Sequence, residues 1–461
     1  DRVREQRSGG FEMSRELLVD NVRGDVLRPG DDGYADASAV TFATGAPALV
    51  VRPYDIDGVV TAIDHARRDG LALSVRSGGH SVLGSSTNTG GLVLDLTHFD
   101  AVDVVDEQRR VVSVGGGANW GQVSDELARH GLAITAGDTA EVGVGGLTLG
   151  GGMGWMVRKY GLAIDSLVAA QVVTADGRII EASEDSHADL FWAIRGGGGN
   201  FGVVTRFDFV AQPVATVHFG TITYEPDDPA TLVRSWRDHM RTASEDLSST
   251  LTLMPAMFGM PASVMVTLCY AGDESGYGDA VDPLLGMGRV TSNSVTSLPY
   301  ADILEHAGHP PGMQVVARNA LVPALDDDLI ETVMTVYRSE TPMMASIRSL
   351  GGAYGRVSVH ETAFAHRDAE AMVFCGAMLA ADAAQSEVDR ALEPWPSVAR
   401  RGSGAYLNFH GSATLGDLLA AYPAYERLAE VKRAYDPENA FARNHNIVPG
   451  ADRQAAKVPA G

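Results

Sequence analysis

Val75-Arg76-Ser77-Gly78-Gly79-His80-Ser81 is the stretch on which the reading of this chain turns. An apolar run ends in two adjacent glycines and is followed at once by a histidine, so a strand turns tightly and presents an imidazole beyond the turn. Working outward, residues 71–77 (LALSVRS) read as that strand and residues 91–96 (GLVLDL) as the next. Upstream, 48–52 (ALVVR) is a short buried strand, and Asp55 or Asp57 caps a helix in which Val59, Val60, Ile63 and Ala66 keep helical spacing and which Gly70 stops. Downstream, 109–117 (RRVVSVGGG) is a strand and 120–130 a helix ended by Gly131. This rhythm of short elements is that of an α+β or α/β fold.

Fifteen glycines fall within the 66 residues 137–202, mostly in the runs GVGGLTLGGGMGW (143–155) and RGGGGNFGVV (195–204). A strand (167–176), a turn at Asp176-Gly177, a second strand and a short helix (188–195) lie between them. Dense glycine lets backbone amides approach an anion, which suggests phosphate or dinucleotide contact. Gly197-Gly198-Gly199-Asn200-Phe201-Gly202 matches the dinucleotide fingerprint letter by letter, but a helix precedes it and a strand follows, the reverse of the required order. No P-loop and no nucleophile elbow occur in the sequence. His306 and His309, or His360 and His366, are not accompanied by a convincing zinc-ligand set, and no metal is expected.

Composition bounds the rest. The chain has 461 residues, 45% hydrophobic and 21% charged, and at roughly 150 residues per domain it holds two or three domains. Lys and Arg number 36 against 59 Asp and Glu, a net charge of −23 that repels phosphate backbones and argues against nucleic acid. No apolar stretch approaches the roughly 20 residues of a bilayer span. Two cysteines, Cys269 and Cys375, make no disulfide framework and read as buried filler. Residues 1–12 lack the apolar core of an export signal and Met13 stands where a natural start would, so a cytoplasmic location is expected. From about residue 213 the glycine clusters cease and strands (218–224, 263–271, 371–379) alternate with helices such as 230–240. Asp326-Asp327-Asp328 reads as a helix start. The expected division is 14–212, 213–403 and 404–461.

Four blocks in order carry a resemblance: residues 75–81, the glycine run 143–155, Asn200-Phe201-Gly202-Val203-Val204-Thr205, and Tyr435-Asp436-Pro437-Glu438-Asn439 before Asn444-His445-Asn446-Ile447. Together they resemble the FAD-linked oxidases with the p-cresol methylhydroxylase type of flavin domain, most closely the bacterial berberine-bridge-enzyme-like group, over essentially 40–461. The resemblance implies an α+β fold in which 14–212 and 404–461 form a two-part FAD-binding domain and 213–403 a substrate domain, an antiparallel sheet covered by helices.

It also implies roles. His80 would bond covalently to the flavin 8α-methyl, since a neutral imidazole is a competent nucleophile. Arg76, Ser77, Gly78, Gly79, Ser81, Gly137, Gly143, Gly146, Gly150, Gly151 and Gly154 would cradle the cofactor, Val203 and Val204 would present main chain to its adenine side, and Asn444 and Asn446 would bring C-terminal amides to it. Many relatives make a second link through a cysteine; Thr139 occupies that position, so a single link is expected. The family's Tyr-x-Asn motif is Tyr406-Leu407-Asn408, which makes Tyr406 the leading acid or base, with His410 and Asp138 as candidates to lower its pKa. Trp155 and Tyr354 are expected to line the substrate pocket, with Ser346-Ile347-Arg348-Ser349-Leu350-Gly351-Gly352 as its strand, and no charged residues that would recognise an amine stand out. The implied activity is hydride abstraction from a small natural-product-like substrate with O2 reduced to H2O2. The rivals are a sugar oxidase, which Thr139 disfavours, and a flavin-loaded protein that captures a small molecule without turnover.

Overall fold

The strands flanking the Gly-Gly-His turn lie side by side in a computed structural model that describes residues 22–257, 259–306, 312–339, 341, 343–380 and 382–450. Met13, the first residues of 14–212, His309 and the last residues of 404–461 lie outside the described residues. Strands β1 (Gly24–Leu27), β2 (Leu49–Pro53), β3 (Leu73–Arg76) and β4 (Leu92–Asp95) form a sheet in the order β1-β2-β4-β3, with the last three parallel and β1 antiparallel. Helix Ile56–Arg68 connects β2 to β3. Asp55 caps it by accepting from the Gly58 amide at 2.9 Å, and Val59, Ile63 and Ala66 are buried against the sheet.

A second sheet is antiparallel throughout. It comprises β5 (Val102–Asp106), β6 (Val111–Gly115), β7 (Leu167–Val173), β8 (Ile179–Ser183) and β9 (Val203–Val210), in the order β8-β7-β9-β6-β5. The sequence reading did not foresee β5. It is an edge strand whose half-buried Val102 and Val104 alternate with exposed Asp103 and Val105, a pattern too short and polar to stand out. Trp120, Phe191, Phe207 and Phe209 are buried in the core on this sheet.

The third sheet has eight strands: β10 (Thr216–Tyr224), β11 (Leu247–Met254), β12 (Ser263–Tyr270), β13 (Val290–Asn293), β14 (Thr296–Pro299), β15 (Met313–Val322), β16 (Met344–Ser349) and β17 (Ala371–Ala380). The order is β13-β10-β12-β11-β16-β17-β15, with β14 also on β10, and the pairings are antiparallel. Helices Pro229–Thr242 and Asp327–Tyr337 cover one face, and Asp326 caps the latter through the Leu329 amide. Ala345, Ile347, Val373 and Cys375 point into that helical core with Trp236 and Val333. Because strand side chains alternate, residues 344, 346, 348, 372 and 374 face the other way.

Helix Tyr425–Tyr435 brings the chain back to the glycine-rich part. Lys432 and Asp436 are fully buried and paired at 2.6 Å, and Lys432 Nζ also donates to the carbonyls of Asn200 (2.7 Å) and Phe441 (3.1 Å). Two arginines tie the parts together. Arg158 donates to the carbonyls of Met240, Ala243, Ser244 and Leu247, and Arg367 makes a two-pronged pair with Asp165 at 2.8 and 2.7 Å. No helix among the described residues is long and apolar enough to cross a membrane.

Candidate active site

Strand β3 ends at Arg76, and what happens there fixes the turn that follows. Arg76 stands opposite Asp95 on β4 and donates to it at 2.7 Å; Arg52 on β2 reaches the same carboxylate oxygen at 2.7 Å, and a further Arg76 nitrogen donates to the Ala39 carbonyl. This buried charge cluster anchors the sheet end from which residues 77–81 emerge. Gly78 then approaches Gly143 backbone to backbone. A Cβ on Gly78 would lie 2.3 Å from the Gly143 nitrogen, and one on Gly143 would lie 2.1 Å from that of Gly78, so neither position accepts a side chain. Among the described residues, nothing accepts a hydrogen bond from the amides of Gly78, Gly79, His80 or Ser81. Unpaired amides on successive residues suit an anion.

These turns form one wall of a cavity of about 640 Å³. Ser77, Gly78, Gly79, His80 and Ser81 line it, as do Gly137, Asp138, Thr139, Gly143, Gly146, Gly150, Val204 and Asn444. A Cβ on Gly146 would meet nothing within 4 Å, so that glycine leaves open space. His80 is half-buried, and burial lowers its pKa below the ordinary histidine value, which keeps the imidazole neutral and nucleophilic at neutral pH. The unpaired amides, the open glycine surface and the neutral imidazole fit an FAD: an anion-accepting turn, room for a ring system and a nucleophile on one wall.

The third sheet and the 406–409 turn supply the opposite wall. Asn319 on β15 is buried and clamps that turn. Its amide donates to the Tyr406 and Phe409 carbonyls at 2.9 and 3.1 Å and accepts from the Tyr406 nitrogen at 2.7 Å. Tyr406 is itself 2% exposed, and its hydroxyl accepts from the amides of Gly152 (3.1 Å) and Met153 (3.2 Å) and from Asn408 Nδ2 (2.9 Å). Its own proton has no acceptor among the described residues. Burial raises its pKa and outweighs the lowering by these three donors, so the resting group is the phenol. Arg348 on β16 also faces the cavity. It donates to Asp138 Oδ2 at 2.8 Å, to the Met153 carbonyl and to Thr250 Oγ1.

Eight expected residues lie elsewhere. Arg76 is occupied by Asp95 beneath the turn. Gly151 sits behind the wall against the Phe364 and Tyr406 rings, and Gly154 against the Ala136 carbonyl. Val203 is buried in the core beside Phe441. Asn446 is outside the wall, next to Ile447, whose amide donates to Asn200 Oδ1. Trp155 packs edge-on against Phe219 under the Arg348 guanidinium, and the fully buried Tyr354 donates to the His366 carbonyl, so neither lines the pocket. His410 lies 3.3 Å from Asp417, away from the Tyr406 hydroxyl, and Asp138 is held by Arg348. Neither is a hydrogen-bond partner of Tyr406; Asn408 and two main-chain amides take that place. The reading placed Arg348 in its pocket strand without giving it a role, and it missed Asn319 and the cavity-lining His445 as site residues. Arg348 had a visible signal, a lone charge in an apolar alternation, whereas Asn319 had none.

The sequence matches the family model described as FAD binding domain over residues 47–183 and the one described as Berberine and berberine like over 421–448. It is 32% identical to (R)-6-hydroxynicotine oxidase of Paenarthrobacter nicotinovorans, over 95% of this chain and 99% of that one. An FAD-linked oxidoreductase of Dictyostelium discoideum is 28% identical over 96% and 98% of the two chains. The crystal structure of 6-hydroxy-D-nicotine oxidase from Arthrobacter nicotinovorans superposes with a TM-score of 0.83 at 30% identity, covering 93% of this chain and 98% of that one. A chitooligosaccharide oxidase superposes at 0.84 with 22% identity, covering 95% of this chain and all of that one, which is a likeness of fold.

Proposed function

Because this chain belongs to the berberine-bridge-like FAD-linked oxidoreductases, we propose that it is an oxidase that takes a hydride from a small organic substrate held between His80 and the third sheet, with O2 as final acceptor and H2O2 as product. The bound FAD supplies the hydride acceptor. Gly78, Gly79, Ser81 and Gly143 would hold it through main chain, Asn444 would contribute from the C-terminal segment, and His80 would carry the single covalent link, with Thr139 at the position of the second. The setting is cytoplasmic, in keeping with two buried, unbridged cysteines.

One observation carries the reading: the Tyr406 hydroxyl accepts from Gly152, Met153 and Asn408 at the cavity wall, and among the described residues nothing takes its own proton. As a phenol, whose two lone pairs accept from two of these donors at a time, it donates to a substrate oxygen or nitrogen and orients the C–H to be broken. As a phenolate, stabilised by the same three donors, it takes the substrate's proton.

Acid precipitation of the purified protein tests the covalent claim. Yellow colour should stay with the pellet, and His80→Ala should release it to the supernatant. Colour released from the wild type would remove the link, and a protein colourless from the start would remove the oxidase reading.

A further inference from the structure

Resting on the oxidase reading, we propose that the substrate is a neutral, mainly apolar ring compound with one oxygen acceptor, a ketone or phenol oxygen, and that Arg348 receives that oxygen. The third sheet carries the argument. In its register Ser346 stands opposite Phe374, Arg348 opposite Met372, and Met344 opposite Gly376, which also faces Ala317 on β15. Val315, Ala317, Met344, Met372, Phe374 and Phe409 therefore make a continuous wall of hydrocarbon and thioether. The hydroxyl on this stretch, that of Ser346, is already engaged with Thr252 Oγ1 at 2.9 Å. A sugar carries a hydroxyl on nearly every carbon, and each one buried on such a wall gives up its hydrogen bonds to water with none in return. A flat apolar ring leaves nothing unpaired there.

The polar end is narrow and electrically balanced. Arg348 spends one N–H on Thr250, one on Met153 and one on Asp138, which leaves one on each terminal nitrogen. Asp138 neutralises its charge, and Glu305 stands on the same wall. A carboxylate therefore meets no net positive field. An ammonium meets in Asp138 a carboxylate already engaged, in Glu305 one that burial and the neighbouring Asp138 push towards its neutral acid, and an apolar surface that desolvates it. A neutral oxygen acceptor needs only the two remaining N–H groups.

Isothermal titration of the purified, flavin-bearing protein decides the matter with 1-tetralone, its hydrocarbon analogue tetralin, 1-naphthoate, 1-naphthylmethylamine and cellobiose. Tetralone should bind tightest. Arg348→Met should weaken tetralone by about tenfold or more and leave tetralin unchanged. Tighter binding of naphthoate, the amine or cellobiose, or an equal loss for tetralone and tetralin, would overturn the assignment. Because Arg348 also holds Met153 and Thr250, Phe374→Ser gives an independent check: it should weaken tetralone and tetralin alike, and unchanged affinity for both would refute the apolar wall. A yellow protein that binds no tetralone sinks this assignment and leaves the oxidase reading standing, whereas a colourless protein sinks both.

Discussion

At the residue scale the proposed chemistry concentrates on Tyr406. Its pKa lies above the ordinary tyrosine value because burial outweighs the three donors, so the basic form grows as pH rises. With a substrate that must lose a proton, kcat/KM should climb through the alkaline range, and Tyr406→Phe should abolish that limb and lower kcat by about 10²–10⁴-fold. A full alkaline limb in the variant would assign the base elsewhere. His445 behaves oppositely. Burial, and after it the neighbouring His410, holds its pKa down to about 4, so the folded protein keeps it neutral where the unfolded chain, at about 6.5, takes up a proton. Stability is then lost on acidification from about pH 6.5 towards 4. Melting temperatures measured across that window should fall more gently in His445→Gln, and superimposable curves would show that His445 contributes nothing.

At the scale of elements, strand β15 is a positioning device as much as a structural member. Asn319 satisfies both sides of its amide on the 406–409 turn, so Asn319→Leu leaves the Phe409 carbonyl and the Tyr406 N–H without partners, each costing about 1–3 kcal/mol, while the Tyr406 carbonyl keeps the Phe409 amide. The expected result is a lower melting temperature together with a fall in kcat larger than the change in KM, and an unaltered kcat would show that Tyr406 needs no such clamp. This contact also marks where sequence reading stops. The helix at Ile56–Arg68 and strands β2, β3 and β9 were legible because their apolar spacing and their caps or flanking glycines agree locally. The glycine turns and Tyr406 were legible as motifs. Asn319 lies 87 residues from the turn it holds, in a strand whose local pattern reveals nothing of a partner so distant. His410 misled for the converse reason: four residues from Tyr406 in sequence, it turns instead to Asp417.

At the scale of the molecule, the lobes are joined by buried charge. Arg367 and Asp165 are 2% and 8% exposed, so Arg367→Met strands a carboxylate and should cost about 3–5 kcal/mol in urea denaturation. Adding Asp165→Asn to it should restore part of that loss, and no recovery would mean that the arginine acts through its packing alone. The cavity itself draws on the far ends of the chain: residues 77–81 form one side, while Tyr406 and Asn444 come from the last stretch, clasped in place by Lys432 on the Asn200 and Phe441 carbonyls. On the ribosome this order matters. A nascent chain that has emerged only to residue 400 has its imidazole but neither the tyrosine nor the clasp, so the cavity is completed only once residues 406–444 have emerged and packed back onto the glycine turns.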